Sequence, residues 1–512
     1  MAESLPPLKG SRLALMTVSL SLAIFMNVLD TSIANVAIPT IAGDLGVSPD
    51  NGTWVITSFA VSQAIMLPIT GWLARRFGEV KLFLFSTTLF TIASVLCGLS
   101  QNLAMLVFFR VVQGAVSGPM IPLSQSILLA NYPPEKRGLA TGIWAMTAVV
   151  GPIMGPIMGG IITDNYTWPW IFYINVPVGI FSVVFTMITL SGRETAIVRR
   201  PIDFIGLILL TIGIGCLQIL LDKGHDLDWF NSNIIMALGI ISLMALSFLV
   251  IWLLTQCDPI IDLFLFKDRT FTVGVICLTL GFMVYFSNVV IFPLWLQTQM
   301  GYTPTWAGYA AAPVGILPFI LTPIVGNYMG RFDLRMITAT GFLIFMITSY
   351  WQSVFYTDVG FNQLIAPRFV QGIGITLFFT PLIQMLLADM PPEKMASALG
   401  LGNFFRILGG SFGTSLSVSI WNNREAMHQS HLVEHINNYN PFTIQILEQL
   451  HQLGISGVKA YGVIYQTIIN QAFMLATNDI FRLSSWIFGL LFFVIWFAKP
   501  THAKSGGPVA AE

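Results

Sequence analysis

The sequence predicts an all-α polytopic membrane protein: two six-helix bundles plus an inserted two-helix hairpin, fourteen spans in all. Three observations carry this reading. Charge is scarce beside long apolar runs, Lys and Arg fall on one side of the predicted spans, and the chain repeats itself at a fixed offset. Of 512 residues, 55% are hydrophobic and 9% charged, whereas a soluble chain carries about 25% charged residues. So few charges cannot cover a water-facing surface. Apolar runs of roughly 20 residues, long enough to cross a bilayer, recur along the whole chain. The formal net charge is zero, so the total implies no acidic or basic partner.

The predicted spans are 13–38, 53–74, 82–99, 103–127, 139–162, 169–190, 204–221, 233–254, 271–296, 305–327, 336–356, 363–388, 396–421 and 479–498. The first is too long for a signal peptide, and no small-residue cleavage site follows it. An even number places both termini on one side. The segments on that side hold 17 of the 24 Lys and Arg, and the opposite loops hold three, Lys223, Arg424 and Lys459. Positive loops stay in the cytoplasm, so both termini are expected there. The four cysteines, Cys97, Cys216, Cys257 and Cys277, lie in or near apolar runs without CxxC spacing, which reads as reduced, buried thiols.

The repeat supplies the architecture. RVVQG at 110–114 returns as RFVQG at 368–372, ANYPPEKRGLATG at 130–142 as ADMPPEKMASALG at 388–400, and GPIMG at 151–155 as GGSFG at 409–413. All three pairs share an offset of 258, which also carries the first span onto the ninth. The expected layout is a tail (1–12), a first bundle (13–190), a linker with the inserted hairpin (191–270), a second bundle (271–498) with a long loop (422–478), and a tail (499–512). A duplicated six-helix unit is the pattern of a transporter whose halves rock around a midplane site, although channels are duplicated too.

Within the spans, Asp30 is the one carboxylate deep in a helix. An ionisable group at that depth costs about 2.5 kcal/mol or more and normally faces protein or a wet cavity. Arg110 lies seven residues inside the fourth span and Asp30 eight residues from the end of the first. At about 1.5 Å per residue both sit roughly 10–12 Å from the same boundary, so the two can meet. Desolvation favours protonated Asp30 and a nearby cation favours the carboxylate; a group balanced between them can load and release a proton. The competing reading makes Asp30 a structural partner that locks Arg110. Arginine stays charged, so Arg110 tunes or gates rather than carries the proton. Arg368 is its repeat mate, but the mate of Asp30 is Asn288, which confines the coupling site to the first half. Arg406 lies near mid-membrane, where it complements an anionic group or binds helix-end carbonyls. Asn27, Gln113, Asn288 and Arg406 are the polar candidates for a cavity or substrate contact.

These motifs resemble the Major Facilitator Superfamily, and within it the 14-span drug:proton antiporters. LDTSIANVAIP (29–39) resembles that family's first-helix motif, GWLARRFGEVK (71–81) its signature loop and RVVQGAVSG (110–118) its fourth-helix motif. Gly142, Gly151, Gly155, Pro156, Gly159 and Gly160 fit the antiporter motif of helix 5, and WIFYINVPVG (170–179) fits as well. The likeness runs on through LDKGHDLDWF (221–230) and NREAMH (423–428), so it covers essentially the whole chain.

The resemblance implies the major facilitator fold and proton-driven export of hydrophobic drugs or toxic compounds from the bacterial inner membrane. It also implies that helices 1 and 4 line the central cavity and that the helix 5 motif seals it. Gly71, Arg75, Arg76, Gly78 and Lys81 would form the gating loop. Arg75 stands where the family commonly has Asp, which removes the usual latch. A periplasmic membrane-fusion adaptor and an outer-membrane channel are the implied partners, with the long loop as the docking part and the proton-motive force in place of a cofactor. Small residues allow close helix approach and Pro156 favours a bend, so plain packing is the competing reading of the glycine series.

In the long loop, His428, His431 and His435 share a helical face, where a metal site competes with a solvated polar helix. Residues 462–476 are amphipathic enough to lie on the membrane or on a partner. No nucleophile–base pair or GxxxxGK[ST] loop is present, so neither an enzyme nor an ATP-driven pump is expected. Two other functions remain open: export of one physiological metabolite, such as a fatty acid or siderophore, and a transport-dead scaffold for the adaptor.

Overall fold

The computed structural model describes residues 8–133, 137–194, 197, 203–256, 259–388, 390, 394–437 and 439–500. Among these residues there are helices and turns and no strand. The first set of helices is α1 (Gly10–Asp44), α2 (Pro49–Gly52), α3 (Trp54–Met66), α4 (Thr70–Phe77), α5 (Glu79–Gly98), α6 (Leu103–Ser117), α7 (Met120–Asn131), α8 (Arg137–Asn165), α9 (Trp170–Tyr173) and α10 (Asn175–Thr189). Then come α11 (Phe204–Lys223) and α12 (Asn233–Thr255). The last set is α13 (Arg269–Thr298), α14 (Pro304–Ala311), α15 (Pro313–Tyr328), α16 (Leu334–Gln352), α17 (Phe361–Ala388), α18 (Met395–Glu434), α19 (Pro441–Gln452) and α20 (Val458–Val494).

Each of the fourteen predicted spans falls on one of these helices or on a consecutive pair. Among the described residues, eleven helices are long and apolar enough to cross a membrane, and the pair Pro49–Met66 and Thr70–Phe77, bent by 60°, makes a twelfth. The fifth and thirteenth spans coincide with α8 and α18. Polar caps mark where helices begin. Asn102 accepts from the Met105 amide, Asp203 from Gly206, Asp268 from Phe271, and Thr303, followed by Pro304, from Trp306. Each satisfies a donor that the first helical turn leaves free.

The repeat is visible in the packing. The α1 helix lies on α8 as α13 lies on α18, α5 on α6 as α16 on α17, and α1 on α10 as α13 on α20. Small residues set these distances. A Cβ on Gly151 would meet Val28 Cγ1 at 2.5 Å, and one on Gly159 would meet the Ile33 carbonyl oxygen at 2.7 Å. Gly155 sits against Ser32, and Gly413, its repeat mate, against the Met283 backbone. The next residue on α8, Gly160, turns to the other half of the molecule and touches the backbone of Pro304, while Gly308 touches the Pro156 carbonyl. The α8 motif therefore serves two seams, one inside its own bundle and one across the two halves. Gly142 also lies on α8.

Bonds that cross between the halves gather at the end away from the termini. Gln297 Nε2 donates to the Val36 carbonyl at 2.9 Å and Thr305 Oγ1 to Asp164 at 2.7 Å. Asn422 Nδ2 donates to Asp50 at 2.8 Å. An apolar cluster joins Ala34, Val36, Ile38 and Ile56 to Val290, Ile291, Leu294 and Trp295 at the same end. That end is closed.

The segment 422–478 departs from the expected loop. Its first part continues α18 to Glu434, and α20 runs unbroken from Val458 into the last span. At 1.5 Å per residue, these extensions reach about 20 Å and about 30 Å past residues 421 and 479. The stretch 462–476 is thus the leading part of a spanning rod, not a separate helix lying flat. Polar sequence predicts a loop, but a helix satisfies its own backbone whatever its side chains. The rods are joined at their base, where His428 Nε2 lies 2.9 Å and Arg424 Nη1 3.8 Å from Asp479 Oδ2.

Replacing Gly160 with Leu forces a side chain into the α8–α14 seam. The expected result is a lower melting temperature in detergent, equivalent to about 1–3 kcal/mol; the same change at Gly462, where a Cβ meets nothing within 4 Å, should leave it unchanged.

Candidate functional site

Asp30 is the one Asp or Glu in the fully buried set among the described residues, with 0% exposure. The α1 helix carries it into the middle of the first bundle, and five other helices supply its neighbours. Arg110 Nη1, from α6, lies 2.5 Å from Oδ2. Oδ1 accepts from Asn175 Nδ2 of α10 at 2.9 Å and from Gln113 Nε2 at 3.2 Å. Gln113 Oε1 in turn accepts from Arg110 Nη1 at 2.8 Å, and its amide donates to Ser94 Oγ of α5 at 2.8 Å. Arg110 Nε donates to the Val55 carbonyl of α3 at 2.8 Å, and its guanidinium lies over the rings of Phe59 and Phe172, from α9, at 4.2 and 5.5 Å. A buried ion pair holds only when its remaining donors and acceptors are satisfied. Here the amides and the carbonyl satisfy the carboxylate and Arg110 Nε and Nη1, while Nη2 has no hydrogen-bond partner and the guanidinium is met by two aromatic faces.

The depth argument for Asp30 and Arg110 is thus matched by contact. The pair is enclosed within the first bundle, not laid open to a space between the halves. Gln113, a cavity candidate, belongs to the charge network itself and has 0% exposure. Asn27 is buried one turn away, where Gln63 Nε2 donates to its Oδ1 at 3.3 Å and its Nδ2 donates to the Ser117 carbonyl at 3.4 Å. Asn175 and Ser94 were not singled out from the sequence. The signal was available: both are polar residues inside otherwise apolar spans.

The second half keeps the frame and drops the acid. Arg368 Nη2 donates to the backbone carbonyl of Asn288 at 3.0 Å, Nη1 to Gln371 Oε1 at 3.4 Å, and the guanidinium lies 3.9 Å from the Phe292 ring centre. Asn288 Oδ1 accepts from Ser484 Oγ at 3.1 Å. Asn288 Nδ2, Arg368 Nε and Gln371 Nε2 are buried without a partner. Arg406, on α18, donates from Nε to Asn403 Oδ1 at 3.2 Å and rests over Phe282 and Phe379 at 5.1 and 5.6 Å. It therefore binds an amide and ring faces, and no helix-end carbonyl is among those contacts.

In the signature loop, Gly78 has φ +93° and separates α4 from α5. Its missing side chain leaves room for Glu194, whose two carboxylate oxygens accept from the Val80 and Lys81 amides at 3.0 and 2.9 Å. A carboxylate at a helix N-terminus is favoured by the free amides and by the dipole. The loop thus has an acid supplied from the segment that follows α10, in a chain whose Arg75 stands in the family's Asp position. Arg75 and Arg76 lie in the last turn of α4, and Gly71 faces open space. Cys97 and Cys277 are buried free thiols and Cys216 is a half-buried one; Cys257 lies outside the described residues. Among the described residues no three His, Cys, Asp or Glu are placed to hold a metal, and His428 is paired with Asp479 instead.

Comparison with known families matches residues 20–414 to the Major Facilitator Superfamily. The chain belongs to that superfamily. The multidrug export protein EmrB of Escherichia coli K12 is 52% identical, over 98% of both chains. The fatty acid resistance protein FarB of Neisseria gonorrhoeae is 50% identical, over 98% of this chain and 99% of its own length. Among solved structures, a bacterial homologue of the human lysosomal transporter Spinster, inward-facing and unoccupied, aligns with a TM-score of 0.60 at 16% identity. That alignment covers 98% of this chain and 100% of the other, and it speaks for the fold alone. As a superfamily member the chain is a multi-span membrane transporter.

Arg110→Met leaves the Asp30 carboxylate buried and uncompensated, at an expected cost of about 3–5 kcal/mol. Arg368→Met removes a buried cation that faces no acid and should be neutral or stabilising. Thermal unfolding of the two purified variants in detergent tests the contrast.

Proposed function

We propose that this protein is a proton-coupled antiporter that exports hydrophobic drugs or toxic compounds across the bacterial inner membrane. The observation that carries the reading is the fully buried Asp30, held by one arginine and two amides inside the first bundle. The 52% identity to a multidrug export protein supports the cargo and direction. In this reading both termini are cytoplasmic, as the distribution of Lys and Arg indicates, and the closed end faces the periplasm.

Protonation of Asp30 weakens its bond to Arg110, because the charge-assisted attraction is lost. Arg110 then rests on the Val55 carbonyl and Gln113. That change alters how α1 is held by α3, α6 and α10. The α1 helix also carries Val36, whose carbonyl is bound by Gln297 of the other half. Six residues, about 9 Å along the helix, separate the proton site from the seam between the halves. The energy source is the proton-motive force, with no cofactor. Between the helical extensions of α18 and α20, the α19 segment and its flanks present exposed Tyr439, Phe442, Leu453 and Val458, a surface suited to a periplasmic membrane-fusion adaptor that leads to an outer-membrane channel.

A second reading is export of one physiological amphiphile, a fatty acid above all, which the 50% identity to FarB favours. Competition between chemically unrelated drugs and fatty acids in everted vesicles separates the two. Mutual inhibition across classes supports the drug exporter, and inhibition by fatty acids alone supports the specific one.

Asp30→Asn keeps the shape and removes the titrating group. In proteoliposomes, substrate-dependent proton flux should fall to background while substrate counterflow persists. Full active export by this variant would overturn the coupling role. Arg110→Lys keeps a charge but loses the planar fork that reaches Asp30, Gln113 and Val55 together, so it should change the pH dependence of transport while the protein still folds.

A further inference from the structure

The inserted hairpin is more than a spacer between the bundles. Its first helix, α11, packs against α3 of the first half and α18 of the second. At the closed end it brings polar groups into that contact. Thr57 Oγ1 of α3 donates to Asp222 Oδ2 at 3.0 Å. Gln218, one turn below, donates from Nε2 to Asp222 Oδ1 at 3.0 Å and to Ser415 Oγ of α18 at 2.5 Å. Ser411 of α18 donates to Gln218 Oε1 at 3.1 Å and to the Thr57 carbonyl at 3.4 Å. The chain of bonds runs unbroken from the first half through the hairpin to the second. Just outside it, Lys223 Nζ reaches Asn51 Oδ1 at 2.6 Å and Asp226 at 2.8 Å.

We propose that Asp222 is a positioning residue of the gate at this end, fastening the two halves together through the hairpin only while its carboxylate is ionised. Both oxygens accept, from the Thr57 hydroxyl and the Gln218 NH₂, and the Ser415 hydroxyl is a third side-chain hydrogen-bond partner. Protonation removes the charge that strengthens these bonds, and a hydrogen on Oδ1 faces the Gln218 NH₂, which has no lone pair to accept it. A cleft of about 10 Å³, room for one water, reaches the site and is lined by Asp50, His225, Asp226, Ser415 and Asn422. Asp50 of α2, with Lys223, His225 and Asp226 beside Asp222 on its own segment, are the titratable and charged neighbours, while α18 presents Ser415, Ser419 and Asn422. Acid on this face therefore loosens the gate, and separation of α3 from α18 must break the bond chain.

The inference rests on the rocking of the halves described above. Its test reads conformation, not transport. In a chain with its four cysteines replaced, Val36→Cys places a thiol at a seam position that is 1% exposed in the closed state. A membrane-impermeant maleimide is applied from the closed-end side. Asp222→Ala and Thr57→Val should each raise the labelling rate several-fold, whereas Asp226→Ala should not. Lowering the pH on that side should raise labelling of the parent and of His225→Ala, but not of Asp222→Ala. Labelling rates and pH responses equal to the parent's in Asp222→Ala and Thr57→Val would overturn the gate role; if Asp222→Ala does not fold, Thr57→Val decides. A parent that is never labelled, at any pH or substrate load, would overturn the rocking itself.

Discussion

A carboxylate with no exposed surface in the centre of an apolar helix constrains everything around it. Removing an ion from water costs several kcal/mol even after relaxation, and the lipid side of a span offers nothing to offset that. Asp30 is tolerated because α1 is surrounded. The α6 helix brings the cation, α10 an amide, α5 the hydroxyl that holds Gln113, and α3 the carbonyl that fixes Arg110. The remaining side of α1 is closed by α8, and only glycines at 151, 155 and 159 allow a backbone that close. The antiporter glycines and the buried acid are therefore parts of one arrangement: a helix that carries a charge must be enclosed, and enclosure needs small residues.

The repeat shows which part of the arrangement belongs to the fold and which to this site. Gly413 touches the α13 backbone as its mate Gly155 touches α1, and Arg368 occupies the place of Arg110. What the second half lacks is the acid. Arg368 reaches the backbone carbonyl of residue 288 where its mate reaches the side chain of residue 30. Neighbouring amide donors on Asn288 and Gln371 have no partner. A duplicated frame with one titratable member suits a device in which one half changes state and the other supplies a fixed surface to move against.

Much of this was legible in the sequence, for physical reasons. Helix length, charge sidedness and repeat offset are one-dimensional quantities, so the spans could be counted and Asp30 and Arg110 set at one depth. Asn175 was missed because depth alone does not say which face of which helix turns inward. Glu194 was missed because it binds the Val80 and Lys81 amides across more than 110 residues of chain, and nothing local to either segment marks the pairing. The error at 422–478 has a different origin. Apolar periodicity reports burial, and the ends of α18 and α20 are helical without being buried. The His428–Asp479 contact that joins them links residues that were read as loop and helix start.

The seam between the halves is made differently from the site it serves. Around Asp30, side chains interlock through short bonds, and opening that cluster would strand a charge. Across the halves, Gly160 meets the Pro304 backbone and Gly308 meets the Pro156 carbonyl, beside an apolar cluster that holds no charge. At the α8–α14 contact backbone meets backbone, so parting there strands no charge, whereas a close-packed interior resists repacking. The polar links there, Gln297 to Val36 and Asn422 to Asp50, lie at the far end of the spans, where water can take over their bonds on opening. The molecule thus places its irreplaceable interactions within a bundle and its exchangeable ones between bundles. The α1 helix belongs to both sets, so a change of charge at residue 30 has a direct mechanical route to the interface that must move.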